Sequence, residues 1–505
     1  MNRVRGEEQP GFIEIVSNWL PHQSWFPAPR GRRKLTRVGG LRLPTPDGDA
    51  DSSLFLELHI FEVDRPSEAG AEAPIRVSVP LTLRSRPSAL AGKSAFIGKL
   101  TTEDNEELWV YDGARDRAFL AAWAEMARRR QGSRNGRSHG EALAGFSEWE
   151  PFDLKMGRES LDSPLPDATR TLITPESVSA DDWEHKVAVD ILRRPDQDPP
   201  AALETALTLT AAHSTAVPRV LGTITGAWED RRYSSPELVE WQTGLLGVIR
   251  EAGAEAPDAY ALATSALRAG DYFVTAAEEL GHTLGTFHAD LAGAFGAYPQ
   301  SPQQLKSMAT NAQAALAEQW AGVREEFDED EAADLTEVID LMTRQLRDAD
   351  APLRIQTSHG SLGLGHFPQL GEKRWVISET GGMISHAPGL RDVVTVLMSG
   401  ANAVMEAASR TPTVASEQTA GTPSVEFEVS EETEADRPPA PVNYGRWYEE
   451  LQAAFLKGYR ASDGDAAGVD SVFFRAAMLT EALELFSQWE GRWVFRPSML
   501  LQVEG

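Results

Sequence analysis

The sequence contains no cysteine among its 505 residues, and this absence removes several classes of chemistry. Disulfide scaffolds, thiolate metal sites and cysteine nucleophiles all require a thiol, so none of them is available to this chain. Basic residues are scarce as well, because 48 Lys and Arg stand against 76 Asp and Glu and give a formal net charge of −28. A field of that sign repels phosphate backbones and anionic lipid, so neither nucleic acid nor a membrane is an expected partner.

Long hydrophobic runs and several catalytic signatures are also missing. No apolar run approaches the roughly 18 residues of a membrane span, and the N-terminus, MNRVRGEEQPGF, lacks the apolar core of a signal peptide. The sequence contains no P-loop, no GxGxxG fingerprint and no GxSxG motif. Apolar residues still make up 41% of the chain, which is enough for sizeable cores. We therefore expect a cytoplasmic protein of about three domains.

The first half of the chain has the composition of a β-rich region interrupted by short helices. Residues 127–143, which are rich in Gly, Ser and Arg, predict a mobile loop or linker. The Arg residues there could form a local anion site, but a solvated loop fits the composition better. The predicted strands are 54–63, 75–83, 169–173, 186–192 and 217–224, and the predicted helices are 12–20, 115–130 and 200–212.

Helical patterns dominate the chain from about residue 236 onward. They are interrupted at 353–384, where short strand-like pieces carry Gly and His. Residues 409–442 are rich in Pro, Thr and Glu and poor in apolar residues, which predicts a disordered insertion on the surface. The predicted helical stretches are 236–252, 257–295, 302–349, 390–408, 444–460 and 471–490.

The stretch HGSLGLGH at 359–366 is the most suggestive motif of the sequence. A phosphotransferase loop places an Asp at the third position, to orient and deprotonate the attacking hydroxyl, and this chain has Ser361 there. A serine hydroxyl cannot serve as a carboxylate base at neutral pH. The alternative is a Gly-rich turn between a helix and a strand, and the stretch taken by itself fits that structural interpretation.

A second candidate motif, RWVISETGG at 374–382, predicts a strand that ends at a pair of glycines. A metal-dependent kinase needs oxygen ligands for Mg²⁺ at such a strand end, and the chain offers Ser378 followed by Glu379. Adjacent strand residues point to opposite faces, so Glu379 would face away unless the strand bulges. His282 and His288 are six residues apart on a predicted helix, which predicts opposite faces and packing or capping roles, not a zinc pair.

Eleven strings of residues follow one another along the chain in a recognisable order. They are WLPHQSWFPAPRGR (19–32), VPLTLRSRP (79–87), AFIGKL (95–100), WVYDGARDRAFLAAW (109–123), VPRVLG (217–222), LGHTLGTFHADLA (280–292), RIQTSHGSLGLGH, WVISETGG, LRDVVTVLMS (390–399), WYEELQAAFLKGY (447–459) and FRPSML (495–500). In this order they resemble bacterial maltokinases, which are relatives of the aminoglycoside phosphotransferases. The resemblance implies ATP-dependent phosphorylation of maltose at its anomeric hydroxyl, on the route from trehalose to α-glucan.

The resemblance also implies an α+β, protein-kinase-like fold of two lobes, similar to that of aminoglycoside phosphotransferases. Residues 1–126 would form a β-rich N-terminal cap, and 127–168 a flexible linker. Residues 169–245 would form the small kinase-like lobe. Residues 246–505 would form the large helical C-lobe, which contains the insertion at 409–442.

The departures from the family pattern fall on the catalytic residues. Where the family reads HGDLHLGQ, Ser361 replaces the catalytic carboxylate, Gly363 replaces the second His, and His366 replaces the Gln on the metal side. Where the family reads DFEGE, Ser378 replaces the metal-binding Asp and Gly382 replaces the last Glu. The base and the metal ligand are therefore both expected to be missing.

The position of the phosphate-gripping lysine has changed as well. The family places that lysine in a strand of the type LKLFRR, and this chain has Asp190 in VDILRR. Glu204 in the partner helix would remain without its cation, and Lys186 is too far along the strand to substitute. At ~4 Å and an effective dielectric of ~20, reversing a unit charge turns about 4 kcal/mol of attraction to phosphate into similar repulsion. The turn before this strand reads EQSNTS in the family, and only Glu176-Ser177 of this chain bears a weak similarity to it.

Three functional hypotheses follow from this pattern. The favoured one is a maltokinase-like pseudokinase that binds maltose or a related sugar, or a partner such as a trehalose synthase or another α-glucan enzyme. It expects no cofactor. The alternative is an active maltokinase-type sugar kinase that uses ATP and Mg²⁺ through Glu379, Glu204 or another carboxylate and makes maltose 1-phosphate. The third is a structural scaffold without a ligand.

Overall fold

The structure is a computed structural model whose described residues fall into two compact units. We call Met1–His213 with Pro218–Ala252 the β unit, and Ser214–Val217 with Gly253–Gly505 the helical unit. The described residues are 10–26, 34–46, 54–64, 74–89, 91–102, 105–133, 136–163, 165, 167–195, 197–378, 383–410, 443–462 and 464–489.

The described part of the β unit is built on one sheet of eleven strands, and every pairing in it is antiparallel. The strand order is β4-β5-β3-β2-β1-β10-β11-β9-β8-β7, and β6 pairs with β10. The strands are β1 (Leu35–Leu43), β2 (Phe55–Val63), β3 (Ile75–Arg84), β4 (Phe96–Thr101), β5 (Glu107–Asp112), β6 (His139–Ala142), β7 (Gly157–Leu161), β8 (Ala168–Thr174), β9 (Val187–Leu192), β10 (Val220–Glu229) and β11 (Trp241–Glu251). The helices are α1 (Pro10–Trp19), α2 (Arg117–Arg128) and α3 (Ala201–Ala211).

Hydrophobic cores lie on both faces of this sheet. Successive strand residues point to opposite faces, so β2 sends Leu58 and Ile60 into one core and Phe61 and Val63 into the other. The first core contains Trp123 and the rest of the apolar side of α2, and the second contains the apolar side of α1. All ten residues of β3 are buried, because both of its faces are covered. The sequence of this strand, IRVSVPLTLR, nevertheless alternates. Its odd-numbered residues enter the second core, and Arg76 and Arg84 on the opposite face are buried against the carboxylates of Asp230 and Asp116.

The described part of the helical unit consists of eight helices and short strands. The helices are α4 (Ala259–Ala269), α5 (Val274–Phe295), α6 (Pro302–Val323), α7 (Glu329–Arg347), α8 (Leu390–Arg410), α9 (Tyr444–Arg460), α10 (Ala466–Val469) and α11 (Val472–Gln488). The strands are β12 (Ala297–Pro299), β13 (Arg354–Ser358), β14 (Gln369–Gly371), β15 (Arg374–Trp375) and β16 (Ile384–Pro388). Strand β13 lies between β12 and β16, and β14 pairs with β15. None of the described helices combines the length and the hydropathy that a bilayer crossing requires.

Helices α5 and α9 cross at close range through glycines on both sides. A Cβ atom at Gly281 of α5 would overlap the carbonyl oxygen of Phe455, and one at Gly458 of α9 would overlap the carbonyl oxygen of Glu278. The backbones touch directly at these two points, so the crossing has no room for a methyl group. The Lys457 ammonium also pairs with the Glu278 carboxylate at 2.9 Å beside the crossing.

The α+β class, the β-rich N-terminal part and the helical C-terminal part are confirmed by this architecture. The helix predicted over 236–252 is wrong, because β11 lies there and pairs with both β10 and β9. Its apolar run is fully compatible with a helix, and only pairing with two neighbours decides for a strand. The predicted linker at 127–168 contains β6 and β7, which pair into the sheet. Residues 411–442 of the predicted insertion lie outside the described residues.

The α5–α9 crossing yields a stability prediction with an internal control. Gly281→Ala should lower the free energy of unfolding by about 1–3 kcal/mol, because the added methyl overpacks a backbone contact. Gly293 lies on the same helix with nothing within 4 Å of an added Cβ, so Gly293→Ala should be neutral or stabilising by up to about 1 kcal/mol. Urea denaturation of both variants checks this. Equal effects of the two substitutions would contradict the close crossing.

Candidate functional site

The glycine-rich stretch starts where β13 ends at Ser358, and a buried carboxylate from α8 fixes its first turn. Asp392 accepts hydrogen bonds from the backbone N–H groups of His359, at 2.8 Å, and Gly360. Gly360 has a φ of +86°, and a Cβ atom there would overlap the side chain of Ile384. Only glycine fits this turn, because a side chain would be both strained and in collision.

The Asp392 carboxylate is held in turn by a histidine from α5. Nε2 of His288 lies 3.0 Å from Asp392, and its Nδ1 lies 2.9 Å from the hydroxyl of Tyr459 on α9. Burial opposes ionisation of Asp392, but the His288 hydrogen bond and the two backbone N–H groups outweigh it and hold its pKa below the usual range. Burial raises the pKa of Tyr459, so this hydroxyl keeps its proton. Three elements of the helical unit thus fix one loop through buried hydrogen bonds.

The structure brings the two stretches singled out in the sequence together. The backbone oxygen of His366 accepts from the N–H of Ser378 at 3.0 Å, and the Ser378 hydroxyl lies 3.4 Å from the same oxygen. Nδ1 of His366 accepts from the N–H of Gly363 at 2.9 Å, so this ring is used to close the turn. Ser361 is exposed. Glu379 and Gly382 lie outside the described residues, so the predicted role of Glu379 as a metal ligand stays a prediction.

The strand predicted to end at Ser378 is shorter than expected. Only Arg374–Trp375 pair as β15, and the next residues hydrogen-bond to other segments. The N–H of Val376 donates to Pro368, and that of Ile377 donates to Ala216. Among the described residues, no group of three or more His, Asp and Glu has the arrangement of a metal site.

In the β unit, Asp190 is fully buried between two arginines. Arg170 donates from Nε to Oδ1 at 2.9 Å and from an Nη atom to Oδ2 at 2.7 Å. Arg250 places its Nε 3.3 Å from Oδ2, and the Ser163 hydroxyl donates to Oδ1 at 3.1 Å. The negative charge of Asp190 is therefore balanced within the β unit by two guanidinium groups, and its place beside a nucleotide stays a prediction. Arg170 lies directly opposite Asp190 in the β8–β9 register, and that pairing is not visible in the sequence.

Glu204, expected at the nucleotide site, and Lys186, expected to be too distant to replace the missing lysine, both lie outside the set of Asp190 partners. Glu204 is exposed in the first turn of α3 and is not among the partners of Asp190. Lys186 donates to the backbone oxygen of Ala180 and lies over the Trp183 ring, 3.8 Å from its centroid. Within the β unit, Asp190 is thus paired with Arg170 and Arg250, and Glu204 and Lys186 lie outside this ion cluster.

Sequence reasoning missed Asp392 and undervalued His288. His282 is exposed and His288 is buried, which confirms the predicted opposite faces of the helix. The sequence did contain one signal for Asp392, which is the only acid in the apolar stretch LRDVVTVLMS. An acid on a buried helix face needs hydrogen-bond donors around it, so such a residue indicates a buried polar network. The partners themselves are distant in sequence and could not be identified from it.

The Asp392 network yields a pH-dependent stability prediction. Asp392→Asn should cost about 3 kcal/mol at pH 7, because hydrogen bonds to a buried charge are lost. A lowered folded-state pKa means that this stabilisation is complete above about pH 5 and declines as the pH falls through that pKa. The difference between wild type and variant in urea denaturation should therefore shrink at about pH 3.5. The exposed Asp334→Asn on α7 is the control and should change little at either pH. A pH-independent difference for Asp392→Asn would contradict the assignment.

Comparison with known proteins finds a family match in the N-terminal region. The model of the maltokinase N-terminal cap domain matches residues 19–116, which confirms the resemblance to maltokinases there. No curated protein matches the chain.

Solved structures of small-molecule kinases also match. A glucosamine kinase in complex with glucosamine, ADP and inorganic phosphate is similar over 97% of this chain and 98% of that chain, with 16% identity and a TM-score of 0.49. Crystal form B of glucosamine kinase gives 16% identity, a TM-score of 0.45 and coverage of 97% and 99%. The Plasmodium vivax ethanolamine kinase gives 11% identity, a TM-score of 0.27 and coverage of 71% and 81%. The chain thus carries a segment similar to the maltokinase cap.

Proposed function

We propose that the protein is a maltokinase-like pseudokinase, which keeps a kinase-like framework and has lost phosphoryl transfer. It acts by binding maltose or a related sugar, or a partner enzyme of trehalose and α-glucan metabolism such as a trehalose synthase. The cap match at 19–116 supports the maltokinase relationship. The observation that carries the loss of catalysis is the closed ion cluster of Asp190, Arg170 and Arg250.

The ion cluster occupies the place where the resemblance requires a cation that is free to grip phosphate. Arg170 is only 1% exposed and uses its Nε and an Nη atom on Asp190. Recruiting it to a nucleotide would leave the buried Asp190 with fewer partners, and breaking a buried pair costs about 3–5 kcal/mol. The cluster therefore stabilises the sheet at the expense of nucleotide binding.

The loop at 359–366 in the helical unit also supports the loss of phosphoryl transfer, because the family pattern places the catalytic base for the sugar hydroxyl there. Asp392 and His288 fix its backbone, so the turn that would present a catalytic base is still built. The side chains at the base and metal positions are Ser361 and Ser378, neither of which provides a carboxylate. Phosphoryl transfer depends on positioning of the reactants and on neutralisation of the developing charge. Without a carboxylate at either position, the chain lacks a base to orient the sugar hydroxyl and a ligand for the neutralising metal ion. A fixed loop without its reactive groups suits binding and not turnover.

The first test is nucleotide and sugar binding by the full chain. Isothermal titration calorimetry with ATP and Mg²⁺ should detect no binding, and a coupled ADP-release assay with maltose should stay at the no-enzyme rate. Heat released on titration with maltose would establish the sugar as a ligand. Titration with a trehalose synthase tests the partner instead. Micromolar, magnesium-dependent ATP binding would overturn the proposal and favour an active kinase.

The second test is repair of the missing residues. Ser361→Asp and Ser378→Asp should each restore no activity, because residues that act as one catalytic unit are strongly non-additive. Asp190→Lys should destabilise the protein by about 3–5 kcal/mol, since it leaves Arg170 and Arg250 beside a third cation.

The matched control for Asp190→Lys is Asp181→Lys, which makes the same charge change at an exposed position of the β unit. Urea denaturation should show little change for this control. An Asp190→Lys protein as stable as wild type, or one that gains ATP binding, would show that the ion cluster does not block the site.

A further inference from the structure

A group of arginines around the start of α2 is the most unusual charged feature of the β unit. Five guanidinium groups and two carboxylates give a local charge of +3 in a chain whose formal net charge is −28. We call this group the arginine cluster. Its members are Arg84, Arg115, Arg117, Arg158 and Arg193, with Asp112 and Asp116.

The two carboxylates of the arginine cluster are already occupied. Asp112 caps a short 3-10 turn through the N–H of Ala114 and accepts from Arg193, with 3.1 Å to each carboxylate oxygen. Asp116 caps α2 through the N–H of Ala118 at 2.8 Å and accepts from Arg84 at 3.3 Å. Each carboxylate therefore hydrogen-bonds one guanidinium, and the cluster as a whole keeps an excess of three positive charges.

The other three arginines have no carboxylate partner among the described residues. Arg158 on β7 donates from an Nη atom to the backbone oxygen of Ala91 at 2.9 Å. The charge of Asp116 acts on it, but that carboxylate is already hydrogen-bonded to Arg84. Burial lowers the pKa of Arg158, and the charges of Arg117 and Arg115 lower it further, against the opposing effect of Asp116. Burial likewise lowers the pKa of Arg193, and Arg115 adds to that effect while Asp112 opposes it. Arg115 thus lies close to both.

Buried N–H groups in this cluster also lack acceptors. Within the described residues, Nη1 of the fully buried Arg193 has no hydrogen-bond partner, and neither has Nε of Arg115 or Nε of Arg158. A buried donor of a charged group without an acceptor is destabilising, and several of them around one place indicate a missing acceptor. An oxyanion supplies several acceptor atoms and negative charge at once.

We propose that the arginine cluster binds the phosphate group of a small phosphorylated molecule or free phosphate. Guanidinium groups present paired donors that match phosphate oxygens, and the charge of a phosphate dianion would neutralise most of the local excess. The aromatic ring of Trp25 covers the Arg193 guanidinium, 4.5 Å from its carbon to the ring centroid, and helps to keep this donor in place. The site is independent of the proposed loss of catalysis, because neither ATP nor Mg²⁺ takes part.

The experiment is a calorimetric titration of the full chain with inorganic phosphate and, separately, with glucose 6-phosphate at constant ionic strength. Binding of either one supports the proposal, and the tighter ligand identifies the source of the phosphate group. Arg115→Gln and Arg158→Gln should each weaken binding about tenfold or more, because each removes a charged donor. Arg268→Gln, at an exposed position of α4, is the matched control and should bind as wild type does.

A thermal melt of the unliganded variants separates a ligand site from a structural role. If the guanidinium charges are uncompensated, Arg115→Gln should melt at the wild-type temperature or above it, and phosphate should no longer raise that temperature. The proposal is overturned if neither phosphate compound binds better than chloride. It is equally overturned if both cluster variants bind as tightly as the Arg268 control.

Discussion

Strands β2 and β3 are covered on both faces, so a charged side chain on the inner strands of this sheet has no access to bulk water. Such a residue must find its counter-charge inside the protein, since an isolated buried charge is unstable. Asp190 with Arg170 and Asp112 with Arg193 follow this rule, as does Asp230 with Arg76 at 3.1 Å. Burial in the sheet therefore determines which charges are paired inside the protein, and the Asp190 carboxylate is one of them.

The helical unit applies the same rule to a loop. Asp392 is buried in α8, and its donors are two backbone N–H groups and His288. The carboxylate is thus used for backbone geometry and not for chemistry at the surface. The hydrogen bonds that fix this loop involve neither the Ser361 nor the Ser378 side chain, so under the proposed function the framework of the loop and its reactivity are separable.

The α+β class and most helices could be predicted from the sequence, because apolar periodicity reports which face of an element is buried. Strand β11 could not, since its run of apolar residues fits a helix or a doubly covered strand equally well. The closed cluster at Asp190 was also beyond sequence reasoning, because Arg170 and Arg250 come from strands 20 and 60 residues away along the chain. The backbone contact between Ser378 and His366, which joins the two stretches, was also not visible in the sequence, because backbone hydrogen bonds leave no residue pattern.

The close crossing of α5 and α9 at their glycines bears on the position of the glycine-rich loop that starts after Ser358. His288 stands on α5 and Tyr459 on α9, so the 2.9 Å hydrogen bond between them joins the same two helices that meet at Gly281 and Gly458. His288 is also hydrogen-bonded to Asp392, and Asp392 accepts from the backbone N–H of Gly360, so the hydrogen bonds continue from the helix pair to the turn. Gly281 and Gly458 therefore contribute to the position of the loop, because the lack of a side chain at both lets α5 and α9 approach as closely as this hydrogen-bonded chain requires.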